Sequence, residues 1–122
     1  MTFELILDHL PYSQLNQNNL RRTHWTVRSK WEKVARQEAY LLALENQEAW
    51  VMPEGMATIY YEFIVANKRR RDIDGLLGAC KPFLDGLVDA GILRDDDWQH
   101  LKIGGAKIIL GKQEQTRIGI HY

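Results

Sequence analysis

One segment near the middle of the chain follows a strict alternating pattern. Residues 56–66 read MATIYYEFIVA, and apolar or aromatic residues recur there at every second position. A period of two places these side chains on one face of a β-strand, so we expect a strand that buries this face. Tyr60 and Ile64 fall on the opposite face, which predicts a central strand covered on both sides. The rest of the chain must then supply partner strands and a layer that packs on them.

Two stretches have the periodicity of helices. Ser29 and Glu32 have the spacing of a capping box, and apolar residues follow at helical spacing up to about Asn46. A second amphipathic pattern covers residues 76–91 and contains Pro82. Because a proline inside a helix removes a hydrogen bond, this segment is expected to kink or to divide into two shorter helices.

The two ends of the chain predict the remaining strands. Residues 3–9 alternate loosely, whereas residues 101–110 and 116–120 are expected to be closing strands joined by a hairpin loop at 111–115. The order is therefore βαβαββ. The fold class that this order favours is α+β, a single domain over residues 1–122 with a mixed sheet and helices packed against it.

The formal net charge of zero is a sum of unlike blocks. Residues 18–36 carry six basic residues and one acid, and residues 68–71 are all basic, whereas residues 72–97 carry seven acids and two basic residues. A local excess of positive charge is typical of nucleic-acid binding. The candidate phosphate-binding residues are Arg21, Arg22, Arg28, Lys30, Lys68, Arg69, Arg70 and Arg71.

Composition also bears on the compartment. No run of about 18 apolar residues exists, and the first residues lack the pattern of a secretory signal. Cys80 is the single cysteine, which fits a reducing setting, and its apolar helical position favours core packing. We therefore expect a cytoplasmic protein with no membrane partner.

The stretch RRRDID indicates chemistry. Asp72 and Asp74 are spaced two apart, so in extended chain both carboxylates point to the same side. Two such carboxylates repel unless a cation lies between them, and hard oxygen ligands suit Mg²⁺ or Mn²⁺. The adjacent basic run attracts a polyanion to the same place. The alternative is structural: these aspartates cap the following helix, and residues 95–97 form a solvated turn.

These residues resemble a known family. RRRDID, the segment KPFLDGLVDAG and the following DDD are similar to the core of RusA-type Holliday junction resolvases, which are small phage and bacterial endonucleases. More loosely, PYSQLNQNNLRRTHW resembles their N-terminal segment.

The resemblance implies a function and a set of site residues. It implies a homodimer that cuts four-way DNA junctions with paired symmetric nicks, and Mg²⁺ held by three aspartates. By position these are Asp72, Asp74 and Asp96, with Asp95 as a neighbouring substitute. Lys81 corresponds to the family lysine that assists at the phosphate.

The sequence departs from the family pattern in two places. Gly75 stands where the family has asparagine, and Lys81 lies about three residues farther along, about 4.5 Å along a helix. An unbroken helix over residues 76–90 is about 22 Å long, whereas the chain to Asp96 spans at most about 17 Å. We therefore expect a broken helix or a site shared between subunits.

Two other functions remain open. A non-catalytic protein that binds DNA junctions would keep the same fold and basic surface, and the departures at Gly75 and Lys81 favour it. A phosphohydrolase of the haloacid dehalogenase type is suggested by DIDGLL, but that motif requires an apolar strand directly before Asp72.

Aromatic residues and histidines give weaker signals. Trp25 and Trp31 lie near basic residues and have the chemistry to stack on bases, although the helical position of Trp31 is more typical of a core. Trp98 either walls the site or lies in a dimer contact. The histidines, which lack metal-ligand spacing, are His9, His24, His100 and His121.

Overall fold

The computed structural model describes residues 1–16, 24–46 and 50–122. Its strands are β1 (Thr2–Leu7), β2 (Ala57–Val65), β3 (Leu101–Leu110) and β4 (Gln115–His121). Its helices are α1 (Trp25–Asn46), α2 (Ile73–Ala79) and α3 (Lys81–Asp89), and a 3₁₀ turn covers Ser13–Leu15. No helix in these ranges has both the length and the apolar character needed to cross a bilayer.

The strands form one mixed sheet in the order β1-β4-β2-β3. β4 is antiparallel to both of its neighbours, and β3 is parallel to β2. The prediction of one small α and β domain with helices on a mixed sheet is confirmed. The predicted order βαβαββ differs in detail, since two helices stand where it has one.

The predicted hairpin between the last two strands is wrong. β2 lies between β3 and β4, so these consecutive strands do not pair. The connection crosses the end of β2, where the Gly111 N–H donates to the Val65 carbonyl at 2.8 Å. Because β2 offers both of its edges, it separates two strands that are neighbours in the sequence.

β2 is central in the sheet, but only one of its faces is covered. Its inward side chains, together with buried residues of all three helices, belong to the hydrophobic core. On the other face Tyr60 is 43% exposed. The prediction of a strand covered on both sides is therefore wrong, because the helices all pack on the same face. The inward residues are Ala57, Ile59, Tyr61, Phe63 and Val65.

α1 begins four residues before the predicted capping box. Trp25 is its first residue, which leaves Ser29 within the second turn. His24 accounts for the early start: its Nδ1 accepts a hydrogen bond from the Thr26 N–H at 3.3 Å, and its carbonyl accepts from the Val27 N–H at 3.0 Å. Glu32 instead pairs with Arg28 across one helical turn, at 3.6 Å.

The second predicted helix divides at Cys80, as the proline suggested. α2 ends at Ala79, and Pro82 lies in the first turn of α3, where its missing N–H costs little. Cys80 is fully buried at the junction, and burial raises the pKa of its thiol. Its assignment to the core is confirmed.

α1 and α3 pack at very close range. Small residues of α1 face α3, and a Cβ built on Gly86 would lie 2.3 Å from the Arg36 carbonyl oxygen. Beside this contact, the Arg36 guanidinium donates to both carboxylate oxygens of Asp89, at 2.6 and 2.8 Å. The small α1 residues are Ala35, Ala39 and Ala43.

We expect Gly86→Ala to destabilise the fold by about 1–3 kcal/mol, because the added methyl group forces the two helix backbones apart. Gly105→Ala is the matched control, since its Cβ would meet only Tyr60 Cδ1 at 3.7 Å, an ordinary contact. Urea unfolding of both variants measures the difference. Equal stability of Gly86→Ala and the wild type would contradict the packing.

The ion pair between the helices predicts a pH dependence. The hydrogen bonds from Arg36 hold the pKa of the Asp89 carboxyl below its ordinary value. Its stabilising effect is therefore full above the unfolded pKa of about 3.9 and is lost as pH falls through the lower folded pKa. Asp89→Asn should reduce the melting temperature slightly at pH 7, and this difference should vanish in acid.

Scanning calorimetry of wild type and Asp89→Asn between neutral and acidic pH tests this expectation. Glu54→Gln, a change of an exposed acid in the loop before β2, is the control. A constant difference between Asp89→Asn and wild type at every pH would show that the carboxylate charge plays no part.

Candidate nucleic-acid cleft

A cleft of about 680 Å³ opens between the segment after β1, the first turns of α1 and the loop before α2. Three arginines line it against two acids, so its charge is positive. The aromatic rings Tyr12 and Trp31 form part of the wall. The charged lining residues are Arg69, Arg70, Arg71, Asp72 and Glu114, and the polar ones include Ser13, Gln14 and Asn16.

The three arginine side chains differ in their exposure to solvent and in their contacts. The Arg71 side chain is 14% exposed, lies 3.7 Å from Glu114, and donates to the Asn67 carbonyl at 3.0 Å and to the Asn67 side chain at 3.1 Å. The Arg70 side chain is 93% exposed. Arg71 therefore shapes the loop, whereas Arg69 and Arg70 present their charge to solvent.

Asp72 lies at the base of this basic loop. It occupies the residue before α2 in extended conformation, yet its carboxylate makes no capping hydrogen bond to the helix. A guanidinium nitrogen of Arg70 lies 3.9 Å from its carboxylate. Asp74 is exposed in the first turn of α2, and its carboxylate accepts from the Gly75 N–H at 3.0 Å. The capping alternative is thus not what places Asp72 here.

The packing around residue 75 leaves little room for a side chain, which accounts for the glycine there. A Cβ at this position would lie 2.8 Å from the amide atoms of Asn16, a residue of the cleft wall. The close approach of the Asn16 side chain therefore favours glycine at position 75.

Asp96 is not among the residues that line this cleft, and its carboxylate is paired with Lys81. Lys81, the first residue of α3, donates to Asp85 at 2.7 Å and also to Asp96. The hydrogen bond from Lys81 holds the pKa of the Asp96 carboxyl below its ordinary value, against the effect of partial burial. Partial burial lowers the pKa of Lys81, but the hydrogen bonds to both aspartates outweigh it and raise this pKa.

The three predicted metal ligands do not converge on one point. Asp72 precedes the seven residues of α2, which rise about 10 Å, and Lys81 with its partner Asp96 follows them. In the ranges that the structure describes, the group of at least three acidic, His or Cys ligands within 4.8 Å of one another is Asp95, Asp97 and His100. A single ion bound by Asp72, Asp74 and Asp96 does not fit this arrangement.

The group at residues 95–100 is also a turn with its own hydrogen bonds. Asp97 lies 2.6 Å from His100 Nδ1 and accepts from the backbone N–H of Gln99 and of His100 at 3.2 and 3.1 Å. The ligand atoms of Asp95, Asp97 and His100 lie within 4.8 Å of one another, which is near enough to hold a metal ion. Among these residues the sequence predicted only Asp95 as a ligand, although an Asp followed three residues later by His was the available signal.

A partly buried polar network supports the aromatic wall of the cleft. Tyr12 donates from its hydroxyl to the Glu38 carboxylate at 2.8 Å, and His9 Nε2 contacts the same carboxylate at 2.8 and 2.9 Å. Burial, followed by the bond to Glu38, raises the pKa of the Tyr12 phenol. Sequence reasoning missed this network because its members are 26 and 29 residues apart.

The remaining predicted DNA-binding residues are dispersed. Lys68 is exposed beside the cleft loop, and Lys30 lies exposed on α1 along a different groove. Arg28 is paired with Glu32. Arg21 and Arg22 lie outside the described residues.

Two further tryptophans lie on the surface. Trp98 is 81% exposed, next to the Asp97 turn, and Trp25 is exposed at the start of α1. Neither lines the cleft.

Two comparisons with known proteins bear on which family the chain belongs to. No family model matches it. A protein of Xylella fastidiosa, described as uncharacterized, is 32% identical over 85 residues, which are 66% of this chain and 54% of the relative. The chain thus spans about half the length of the relative it matches. The resemblance to RusA-type resolvases stays a prediction.

We expect Arg71→Gln to lower stability by about 1–2 kcal/mol, because it removes charged hydrogen bonds that hold the loop. It should also speed hydrogen exchange at the Arg69 amide, which donates to the Asn67 side chain. Arg70→Gln is the matched control and should change stability by less than about 0.5 kcal/mol. The same loss in both variants would contradict the different roles of the two arginines.

Proposed function

We propose that this protein is a divalent-metal-dependent endodeoxyribonuclease that resolves four-way DNA junctions. One observation carries the proposal: Asp72 lines the same cleft as three consecutive arginines. A carboxylate that suits Mg²⁺ or Mn²⁺ thus lies where a DNA phosphate would be held. The resemblance of RRRDID and the following segments to RusA-type resolvases supports the same function.

The cleft supplies the means to hold a phosphate backbone. Arg69 and Arg70 would contact phosphate oxygens, which position the DNA without reading its sequence. Arg71 keeps the loop in place through its bonds to Asn67 and so acts on the DNA only indirectly. The positive balance of the cleft favours a polyanion even though the whole chain has no net charge.

The metal part of the proposal rests on two residues, Asp72 and Asp74. Their carboxylates are hard oxygen donors of the type that Mg²⁺ and Mn²⁺ prefer. When bound, such an ion neutralises phosphate charge and lowers the pKa of a water. Asp96 is engaged by Lys81, so it is available only if that ion pair opens or if a second subunit contributes its own carboxylate.

Homodimer formation belongs to the same proposal. A junction needs two matched nicks, and a two-fold dimer presents two identical sites in fixed relation. Among the described strands β3 is at the edge of the sheet, with one side unpaired. Such an edge is available for contact with another copy.

The decisive assay incubates the protein with a synthetic four-way junction and with a linear duplex of the same sequence, in Mg²⁺ and in Mn²⁺. We expect paired nicks in opposite strands of the junction and an intact duplex. Asp72→Asn should slow cleavage on the order of 100-fold or more, since it removes a ligand charge next to the phosphate. Asp89→Asn, which changes an acid paired with Arg36 on another surface, is the control and should cleave normally.

Two results would overturn the nuclease proposal: an intact junction in both metals, or equal cleavage by wild type and Asp72→Asn. A non-catalytic junction-binding protein is the second candidate, and the Lys81–Asp96 pair favours it because it occupies two of the predicted catalytic groups. Tight junction binding in EDTA, without cleavage in any divalent metal, would establish that function.

The phosphohydrolase alternative is not supported. β2 ends at Val65, and an exposed basic loop, not an apolar strand, leads into Asp72.

A further inference from the structure

We propose that the cleft binds one unpaired nucleotide, with its base stacked on Trp31 and its phosphate beside Arg69 and Arg70. The inference rests on the proposed function and specifies its substrate. The preferred DNA is a branched molecule with an unpaired nucleotide at the branch, such as a flap or a gapped junction, rather than a fully paired one.

An aromatic series leads into the cleft. The rings of His9 and Tyr12 stack with centroids 4.7 Å apart, and the rings of Tyr12 and Trp31 lie 4.9 Å apart. All three residues line the cleft. A base placed on Trp31 would extend this series by one ring, which is how proteins that bind single strands hold bases without reading sequence.

His9 and Tyr12, the first two rings of the series, are held by hydrogen bonds before any ligand arrives. Glu38 accepts from the Tyr12 hydroxyl and contacts His9, and His9 Nδ1 donates to the Leu10 carbonyl at 2.7 Å. Trp31 and Glu38 are seven residues apart on α1, two turns along the same side of the helix. Because the rings need little ordering on binding, less conformational entropy is lost.

The opposite wall and the size of the cleft suit the rest of a nucleotide. Arg69 and Arg70 line the same cleft as the rings, and Arg70 is almost fully exposed. The lining also includes the polar side chains of Ser13, Gln14 and Asn16, residue types that hydrogen-bond base edges in other proteins. The volume of about 680 Å³ falls in the range of roughly 300–1,000 Å³ that holds one small organic ligand.

A concave aromatic wall selects against paired bases. Both faces of a base inside a duplex are covered by its neighbours, so only an unpaired or extruded nucleotide can stack on Trp31. Extrusion costs least where the nucleotide is already unpaired. The cleft therefore favours DNA with a single-stranded nucleotide near the phosphate that Arg69 and Arg70 hold.

The test measures equilibrium binding in EDTA by fluorescence anisotropy. Two four-way junctions are compared, one fully paired and one with a two-nucleotide flap at the branch. We expect wild type to bind the flap junction on the order of tenfold more tightly. Trp31→Leu should weaken binding to the flap junction until the two junctions bind alike. Trp31→Phe, which keeps an aromatic face, should retain most of the preference.

A second measurement needs no variant. A 2-aminopurine in the flap should be quenched when the wild type binds, because its base leaves solvent and stacks on an aromatic ring. Arg70→Ala should weaken binding to both junctions alike. Circular dichroism and thermal melting establish that each variant is folded.

The outcomes separate the two proposals. If wild type binds neither junction, the proposed function itself is wrong. Three results would contradict the nucleotide pocket while leaving junction binding intact. They are equal affinity of the wild type for the two junctions, an equal loss of affinity for both junctions in Trp31→Leu, and 2-aminopurine fluorescence that is not quenched in the complex.

Discussion

β2 and β3 run parallel, with Ala57 opposite Leu101 and Val65 opposite Leu110. A parallel pair can be joined only by a crossover, and α2 and α3 form it here. Asp72 follows the carboxyl end of β2, whereas the turn at residues 95–100 precedes the amino end of β3 and hydrogen-bonds to Ala57. The crossover therefore places one acidic stretch at its start and the other at its end, and the arginine run directly precedes the first of them.

Local patterns predicted most of the elements, because each reflects a short-range physical cause. The period of two over residues 56–66 is a property of one strand, and the division of the second helix follows from the missing N–H of Pro82. Strand pairing depends on what lies between strands in space. Sequential strands often pair, so a hairpin after β3 was the ordinary expectation. Nothing local reveals that β2 takes the place between β3 and β4.

The candidate site likewise has one part that could be predicted from the sequence and one part that could not. The proximity of Asp72 to Arg69 and Arg70 could be predicted because they lie only three and two positions before it in the chain. The wall opposite could not, since Tyr12, Trp31 and Glu38 come together only when the segment after β1 packs on α1. A glutamate on a helix surface carries no signal that a tyrosine hydroxyl will reach it. Non-local hydrogen bonds of this kind require the tertiary structure.

The ion pairs and hydrogen bonds of the fold show which basic residues are engaged within the protein and which present their charge to solvent. Arg36 forms an ion pair with Asp89, and Arg28 forms one with Glu32. Arg71 donates a hydrogen bond to the carbonyl of Asn67 in its own loop. Lys81 likewise offsets Asp85 and Asp96. Part of the positive charge in the described residues of the two basic segments is thus engaged within the fold. The charge that the cleft offers to solvent comes chiefly from Arg69 and Arg70, of which Arg70 also lies 3.9 Å from Asp72. The two exposed arginines of the cleft can neutralise few phosphates, so contacts other than charge must add to the affinity there, and the aromatic wall is the feature of the cleft suited to supply them.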